Sequence, residues 1–302
     1  MLHSCPHIKI DRVLKGGSFG RRTMVSGNFD VDVSVFVISF DGQLLDWERD
    51  WHDEHLVLGM LRTVALWLSA NSHSQVVVVE QGTHYKNVIN VRIQNVDMDL
   101  KLVPQMGTAV LSKPGPKQAP QDRAYAQQQA LMRPVLEEPE AHDADPTREA
   151  ALSEALAAAV KPVNDRVKVV CRMVKAWYKL DLATILPTAG VPSVALEMLV
   201  LAAHQEVLRR GRPKWAELSA AVLLESLRLL DEAVTHGSLV VLDAGRKWGY
   251  RRETAERFRH VWGSDPVKIL HPIDPTCNLA RVSPSRSCGR RVDFNLTGWY
   301  GH

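Results

Sequence analysis

The sequence contains no hydrophobic run long enough to cross a membrane as a helix, which requires about 18–20 apolar residues. Its two longest apolar stretches, 194–203 and 218–230, are interrupted by charged residues, namely Glu197 in the first and Glu225 and Arg228 in the second. The amino terminus also lacks the apolar segment of a secretory signal. These absences predict a protein that does not enter a membrane.

Cysteine is scarce, and neither sign of charge dominates. The four cysteines form no CxxC pair and show no spacing typical of disulfides, which fits a reducing compartment and predicts a cytoplasmic or nuclear protein. The 37 Lys and Arg residues face 34 Asp and Glu residues, which gives a net charge of +3. Composition alone therefore does not indicate a nucleic-acid partner, and a basic surface can arise only by clustering.

The first third of the chain has the alternation of a sheet. Apolar and polar residues alternate around VDVSVFV (31–37), which predicts a strand. A helix is predicted over about 50–69, because apolar residues recur there at helical spacing. Strands follow over 75–80 and 87–103, and the polar, glycine-containing segment between them favours a hairpin.

The pattern changes in the second half. Residues 112–146 contain six prolines and many Gln, Lys and Glu residues, which favour a long, irregular surface excursion. Helical periodicity then dominates the chain, in segments 149–161, 164–180, 193–210, 215–235 and 251–262. The predicted fold class is α+β, with a mixed domain over 1–147 and a helical domain over 148–302.

A glycine-rich turn is the strongest chemical signal. It reads KGGSFGRRT over 15–23, and Asp30 and Asp32 follow it. The backbone N–H groups at Gly17 and Ser18 can approach a phosphate closely, and the Ser18 hydroxyl adds a contact. Two carboxylates on one strand face are costly without a cation, and Mg²⁺ accepts carboxylates together with phosphates. The stretch therefore predicts a metal and triphosphate site, with two solvent-facing aspartates as the alternative.

Three further motifs follow the glycine turn with DVD, namely VKVVCRMVKAWYK (167–179), PSVALEMLVLAAHQ (192–205) and HPIDPTCNLA (271–280). In this order, the four motifs resemble those of the 2′-5′-oligoadenylate synthetases, which are DNA-polymerase-beta-type nucleotidyltransferases and relatives of cyclic GMP-AMP synthase. The resemblance implies a polymerase-beta-like nucleotidyltransferase domain with a mixed or antiparallel sheet, followed by a helical domain that completes the nucleotide and RNA sites. It implies AMP transfer from ATP to a ribose 2′-hydroxyl with pyrophosphate release, two Mg²⁺ ions, and a role in innate antiviral immunity.

The resemblance also implies a third carboxylate, three residues before a proline at the end of a strand. Lys101 stands at that position before Pro104, whereas Asp99 lies two residues earlier on the same strand face. Asp99 would complete the metal site with Asp30 and Asp32 if the strand were shifted or bulged. In an unshifted strand, the Lys101 ammonium would replace the metal, which leaves a catalytically inactive sensor of double-stranded RNA as the alternative. A relative that makes cyclic products would use the same carboxylates.

Further site residues follow from the resemblance. Arg172 and Lys175 match positions that contact the phosphates of the donor nucleotide, and Ser193 begins the helix whose counterpart recognises the base. The family is activated by double-stranded RNA, and the residues that match or adjoin its basic contacts are Lys15, Arg21, Lys161 and Arg166. Such recognition reads phosphates and 2′-hydroxyls, so it weakens with salt. We expect a monomer.

Overall fold

The computed structural model describes residues 2–25, 31–71, 75–78, 88–93, 96–106, 120–182, 191–211 and 213–281. Contacts divide the chain into two compact units, 1–162 with 244–249, and 163–243 with 250–302. The division therefore falls later than the predicted boundary at 147, because helices between 146 and 160 pack within the first unit. Across these described stretches, no helix combines the length and apolar character that a membrane span needs.

The first unit contains a six-stranded mixed sheet. Its strands are β1 Ile8–Lys15, β2 Val31–Phe40, β3 Gln43–Leu44, β4 Gln75–Val78, β5 Val88–Ile93 and β6 Val96–Pro104. The order is β1-β2-β6-β5-β4, with β3 beside β2; only β2 and β6 are parallel, and the other pairs are antiparallel. The segment predicted as one strand over 87–103 is thus two strands, and the expected hairpin over 81–86 lies outside the described residues.

One face of the sheet carries the core. Three short or medium helices follow the first strands: α1 Gly17–Arg21, α2 Trp47–Asp50 and α3 Glu54–Asn71. The side chain of Asp53 caps α3 by accepting the backbone N–H groups of His55 and Leu56. Helical spacing then places Met60, Leu61 and Val64 on the side that packs against the valines of β2. The alternation in β2 places Asp32 and Ser34 on the opposite face.

The prediction that residues 112–146 form an irregular excursion is wrong for 120–137. Residues 120–137 form a regular helix, α4 Pro120–Glu137, which begins at a proline that needs no N–H partner there. Its apolar residues are spread thinly among glutamines, but they share one face that is buried. Gln127 and Gln128 are buried as well, and both are hydrogen-bonded: Gln127 Nε2 donates to the Pro104 carbonyl at 2.8 Å. Residues 107–119 lie outside the described part.

The first unit closes with three more helices. These are α5 Pro146–Ala151, α6 Ser153–Val160 and, after a long interval, α10 Gly245–Trp248. The carboxylate of Asp145 caps α5 by accepting the N–H groups of Thr147 and Arg148. Gln128 of α4 donates to the carbonyl of Trp248, 120 residues away in sequence, which ties α10 to this unit.

The second unit is mainly helical, as the periodicity predicts. Its elements are α7 Asp165–Trp177 with a π-helical turn Tyr178–Leu182, α8 Ser193–Arg210, α9 Leu218–Thr235, α11 Arg252–Glu256, α12 Arg259–Trp262, and the paired strands β7 Leu239–Val240 and β8 Lys268–Ile269. Helices α7, α8 and α9 pack on one another. The turn 271–280 is buried throughout, and the Asp274 carboxylate accepts both the N–H and the hydroxyl of Thr276.

Truncating one core leucine of α3 tests the packing. Leu61 is 1% exposed, so Leu61→Ala should lower the free energy of unfolding by about 2–5 kcal/mol. Leu66, on the same helix, is 72% exposed, and Leu66→Ala should change it by less than about 0.5 kcal/mol. Denaturant unfolding of both variants measures the difference. Equal effects would contradict the assigned buried face of α3.

His52 links two helix ends and should make stability depend on pH. Its Nδ1 lies 3.0 Å from the Trp47 carbonyl and its Nε2 lies 3.1 Å from the Asp145 carboxylate. Both partners are acceptors, so only the doubly protonated ring donates to both. Burial lowers the pKa of His52, but the hydrogen bond and charge of Asp145 outweigh it, and the pKa is raised above 6.5.

We therefore expect the stabilisation by His52 to be complete below about pH 6.5 and to be lost as the pH rises through the raised pKa. The difference in unfolding free energy between wild type and His52→Asn should shrink over that range. Leu66→Ala, which removes an exposed side chain that does not titrate, is the control and should show a pH-independent difference. A constant difference for His52→Asn would contradict the raised pKa, because it requires the same pKa in the folded and unfolded states.

Candidate functional site

The glycine turn is shaped around the carboxylate of Asp32. Gly16 is extended, and its N–H donates to the Asp32 carbonyl at 2.8 Å, which ties the turn to β2. Gly17 has a φ of +53°, and a Cβ built there would overlap the Asp32 carboxylate. Only glycine therefore allows this approach. Ser18 follows in the first turn of α1, so the predicted phosphate contacts Gly17 and Ser18 lie together beside Asp32.

A lysine already neutralises this carboxylate. Lys101 Nζ lies 2.6 Å from Asp32 Oδ1, and both side chains are mostly buried. The contact follows from the register of β2 and β6, in which Asp32 pairs with Asp99 and Ser34 pairs with Lys101. The register is continuous over the described pairs 31–37 and 98–104, so the shift or bulge expected for Asp99 is absent there.

Asp99 nevertheless lies beside Asp32. Paired residues on neighbouring strands are about 4.8 Å apart and point to the same face, so the two carboxylates share the polar face of the sheet. Asn90, the partner of Asp99 on β5, donates its side-chain N–H to the Asp99 carboxylate. Asp30 lies outside the described residues. Within the described stretches, no group of three or more His, Cys, Asp or Glu residues could hold a metal ion.

The donor chemistry fits a magnesium site in part. Asp32 and Asp99 supply hard oxygen ligands, and the glycine turn packs directly against the Asp32 carboxylate. Two adjacent carboxylates demand a positive charge, and Lys101 meets that demand. A magnesium ion at Asp32 therefore competes with the Lys101 ammonium for the same oxygen.

Two buried polar contacts join the strands next to Asp32 to helix α6. Ser34 lies two residues after Asp32 on β2, and its hydroxyl forms a hydrogen bond of 2.9 Å with that of Ser153 at the start of α6. Next to it, Arg12 forms a buried ion pair with Glu154 at 2.8 Å and stacks over Phe36 at 3.8 Å from the ring centre. These contacts fix α6 against the polar face of β2. Sequence reasoning missed both pairs, because each joins residues more than 100 positions apart.

The predicted RNA contacts lie in different environments. Lys15 and Lys161 are exposed and line one cavity of about 570 Å³. Arg21 is 6% exposed, which leaves a polyanion little access to it, whereas its neighbour Arg22 is exposed and lines the same cavity. The left-handed backbone of Arg22 at the end of α1 turns the two arginines apart. The sequence analysis selected Arg21 for this contact, and only the structure shows that Arg22 is the exposed neighbour.

The remaining RNA contact and the donor contacts belong to the second unit. Arg166 stacks on Trp215 at 4.5 Å from the ring centre and donates to its carbonyl. Lys175 is buried and lies 3.7 Å from the fully buried Glu197 of α8, so it is not part of a solvated stripe. Arg172 of α7 and Ser193, the first residue of α8, are both half-buried.

Replacing Gly17 tests the fit between the turn and Asp32. Gly17→Ala should lower the free energy of unfolding by at least about 1–2 kcal/mol, because alanine is strained at positive φ and its methyl group overlaps the carboxylate. Gly59→Ala is the matched control, since no atom approaches that position in α3, and it should stabilise by about 0.5–1 kcal/mol. Denaturant unfolding measures both. A Gly17→Ala variant as stable as the wild type would refute this geometry.

Comparison with solved structures identifies the fold. No family model matches the sequence, and no curated protein is significantly similar to it. CdnC of E. coli MS115-1, in its complex with HORMA-deltaN, superposes with a TM-score of 0.52 at 17% identity, over 93% of this chain and 71% of that chain.

The same CdnC with ATP gives a TM-score of 0.50 at 17% identity, over 94% of this chain and 73% of that chain. Terminal uridylyl transferase 4 from Trypanosoma brucei, with bound GTP, gives 0.46 at 12% identity, over 91% of this chain and 80% of that chain. The mixed sheet and the two CdnC structures agree with the sequence prediction of the fold. The chain has the polymerase-beta-like nucleotidyltransferase fold.

Proposed function

We propose that the chain is a nucleotidyltransferase of the oligoadenylate-synthetase type, which joins AMP from ATP to a ribose 2′-hydroxyl and releases pyrophosphate. The observation that carries the proposal is the Asp32 carboxylate, held against Gly17 of the glycine turn and beside Asp99. Such a pair of acids beside a glycine turn suits a triphosphate with its counter-ions. The likeness to CdnC, whose structure was solved with ATP, supports the choice of ATP.

The chain's own residues divide the work of binding. The N–H groups of Gly17 and Ser18 and the Ser18 hydroxyl hold phosphate oxygens of the donor nucleotide. Asp32 and Asp99, together with Asp30, would hold two Mg²⁺ ions. When bound, these ions neutralise the triphosphate and lower the pKa of the attacking hydroxyl. Positioning of the two substrates supplies much of the acceleration.

Lys101 has to move for this site to be filled. Its ammonium occupies Asp32 Oδ1, and a triphosphate brings several negative charges to the same place. Lysine is a flexible point charge, so its side chain can turn from the carboxylate to a phosphate oxygen. The same residue is then part of the binding site in both states.

Double-stranded RNA is the proposed activator of a monomeric enzyme. Lys15 and Lys161 support this part, because both are exposed and border the same cavity. Contacts to phosphates and 2′-hydroxyls recognise duplex RNA by its shape, and their strength falls as the salt concentration rises.

The second candidate is a catalytically inactive sensor of double-stranded RNA. The ion pair between Lys101 and Asp32 favours it, since a lysine that stays at 2.6 Å blocks a metal ligand. Under this alternative, the fold and the RNA surface remain while the transfer reaction is lost. The two candidates differ in one measurable property, which is pyrophosphate release.

Incubation with ATP, Mg²⁺ and double-stranded RNA, followed by chromatography of the products, tests the proposal. Wild type should release pyrophosphate and form oligoadenylates, and Asp32→Asn should reduce the rate at least 100-fold while RNA binding is retained. Asp97→Asn is the matched control, because Asp97 is exposed on the same strand as Asp99 and pairs only with Arg92 among the contacts described. Its rate should stay within twofold of wild type.

Lys101→Asp separates the two candidates. If wild type binds RNA but releases no pyrophosphate, and Lys101→Asp gains activity, the sensor is correct and Lys101 is what disables transfer. If Lys101→Asp and wild type are both inactive with any RNA, the metal-site assignment fails. Mixed nucleotides in the same assay reveal cyclic products, which would replace the oligoadenylate assignment.

A further inference from the structure

The cavity lined by Lys15 and Lys161 lies beside the glycine turn. It measures about 570 Å³, within the range of about 300–1,000 Å³ typical of small-ligand sites. β1 and α1 form one wall, and α4, α6 and the residues after α6 form the other, all within the first unit. Asp32, Asp99 and Lys101 do not line it, so the cavity is separate from the carboxylate site.

The charge of this cavity favours an anion. Three basic side chains line it: Lys15, Arg22 and Lys161. Glu154 is the one acidic residue among the lining residues, and its carboxylate is held by the buried guanidinium of Arg12, with nitrogen–oxygen distances of 2.8 and 3.0 Å. The acid is thus paired within the protein, and the three basic residues that line the cavity are all exposed.

The other surfaces favour a flat apolar ring. Phe19 presents its ring to the cavity and is 37% exposed. Lys15 Nζ lies 5.2 Å from the centre of that ring, so the cation and the aromatic face adjoin each other. The small side chains of Ala157 and Ala158 leave the opposite wall open. A base can stack on an aromatic side chain, and such stacking contributes about 1–3 kcal/mol per base.

We propose that this cavity binds a nucleotide, with the base on Phe19 and the phosphate among Lys15, Arg22 and Lys161. A ligand with a heteroaromatic ring and an adjacent anionic group matches the adjoining apolar and basic surfaces. A free mononucleotide and an unpaired nucleotide at the end of an RNA both have this chemistry. The proposal does not depend on the transfer reaction.

Calorimetric titration of the full chain with adenosine 5′-monophosphate tests the site. Lys161→Glu should weaken binding at least tenfold by placing a negative charge at the mouth, and Ala158→Phe should do so by filling the cavity. Lys9→Glu, an equal charge change at an exposed position of β1 outside the cavity, should leave the affinity within twofold. Adenosine and inorganic phosphate should each bind at least tenfold more weakly than the intact nucleotide.

Asp32→Asn distinguishes this site from the proposed catalytic one. If that variant keeps the wild-type affinity for adenosine 5′-monophosphate while its transfer activity is lost, the two sites are separate, as proposed. If Asp32→Asn abolishes binding, or if folded Lys161→Glu and Ala158→Phe bind like wild type, the nucleotide lies elsewhere and the proposal is overturned. The proposed transferase function can fail without affecting this result.

Two RNA duplexes identify the source of the nucleotide. One is blunt, and the other carries a 5′-phosphorylated overhang of two nucleotides. Tighter binding of the overhang duplex by wild type, but not by Ala158→Phe, assigns the cavity to RNA ends. Equal binding of both duplexes, with the mononucleotide affinity retained, assigns it to the free nucleotide.

Discussion

The placement of one carboxylate against one glycine organises the polar face of the sheet. Asp32 can lie at the glycine turn only because Gly17 carries no side chain, and the Gly16 N–H fixes the turn to the same residue. Any larger residue at position 17 would push the turn away from β2. This one close contact therefore brings the first turn of α1 to the Asp32 carboxylate, which is paired with Asp99 of β6.

Charge balance is the second constraint on this face. Asp32 and Asp99 are paired across neighbouring strands, and the strand alternation places Lys101, two residues further along β6, on the same face. A lysine and a divalent ion neutralise the carboxylates differently. The lysine supplies one positive charge and is part of the chain, whereas a divalent ion supplies two positive charges and also binds phosphate oxygens. The two functions proposed above differ in which of these cations the carboxylates hold.

Much of the fold follows from local patterns. The alternation in 31–37 gave β2, and helical spacing gave α3 and α8, because in each case burial on one side repeats at the period of the element. The helix at 120–137 was missed because its buried face includes glutamines, whose burial depends on distant carbonyl partners. The burial of Lys175 could not be predicted for a similar reason, because its partner Glu197 lies on another helix.

The placement of the glycine turn beside Asp32 depends on local sequence, whereas the packing around it does not. The glycine turn, Asp32 and the position of Lys101 could be read from the sequence, because a short turn and a two-residue period determine them. The cavity could not, because β1, α4 and α6 meet there through long-range packing. Arg22 is the clearest case, since only the backbone at the end of α1 distinguishes it from Arg21.

The return of residues 244–249 to the first unit bears on how the protein is made. The Trp248 carbonyl accepts a hydrogen bond from the side chain of Gln128. The Trp248 indole packs edge-to-face on the Tyr125 ring, with ring centres 6.0 Å apart. During synthesis, α4 therefore leaves the ribosome long before its partner exists. Until that partner arrives, the glutamine and tyrosine face water, and the amino-terminal unit matures only after most of the helical unit has been translated.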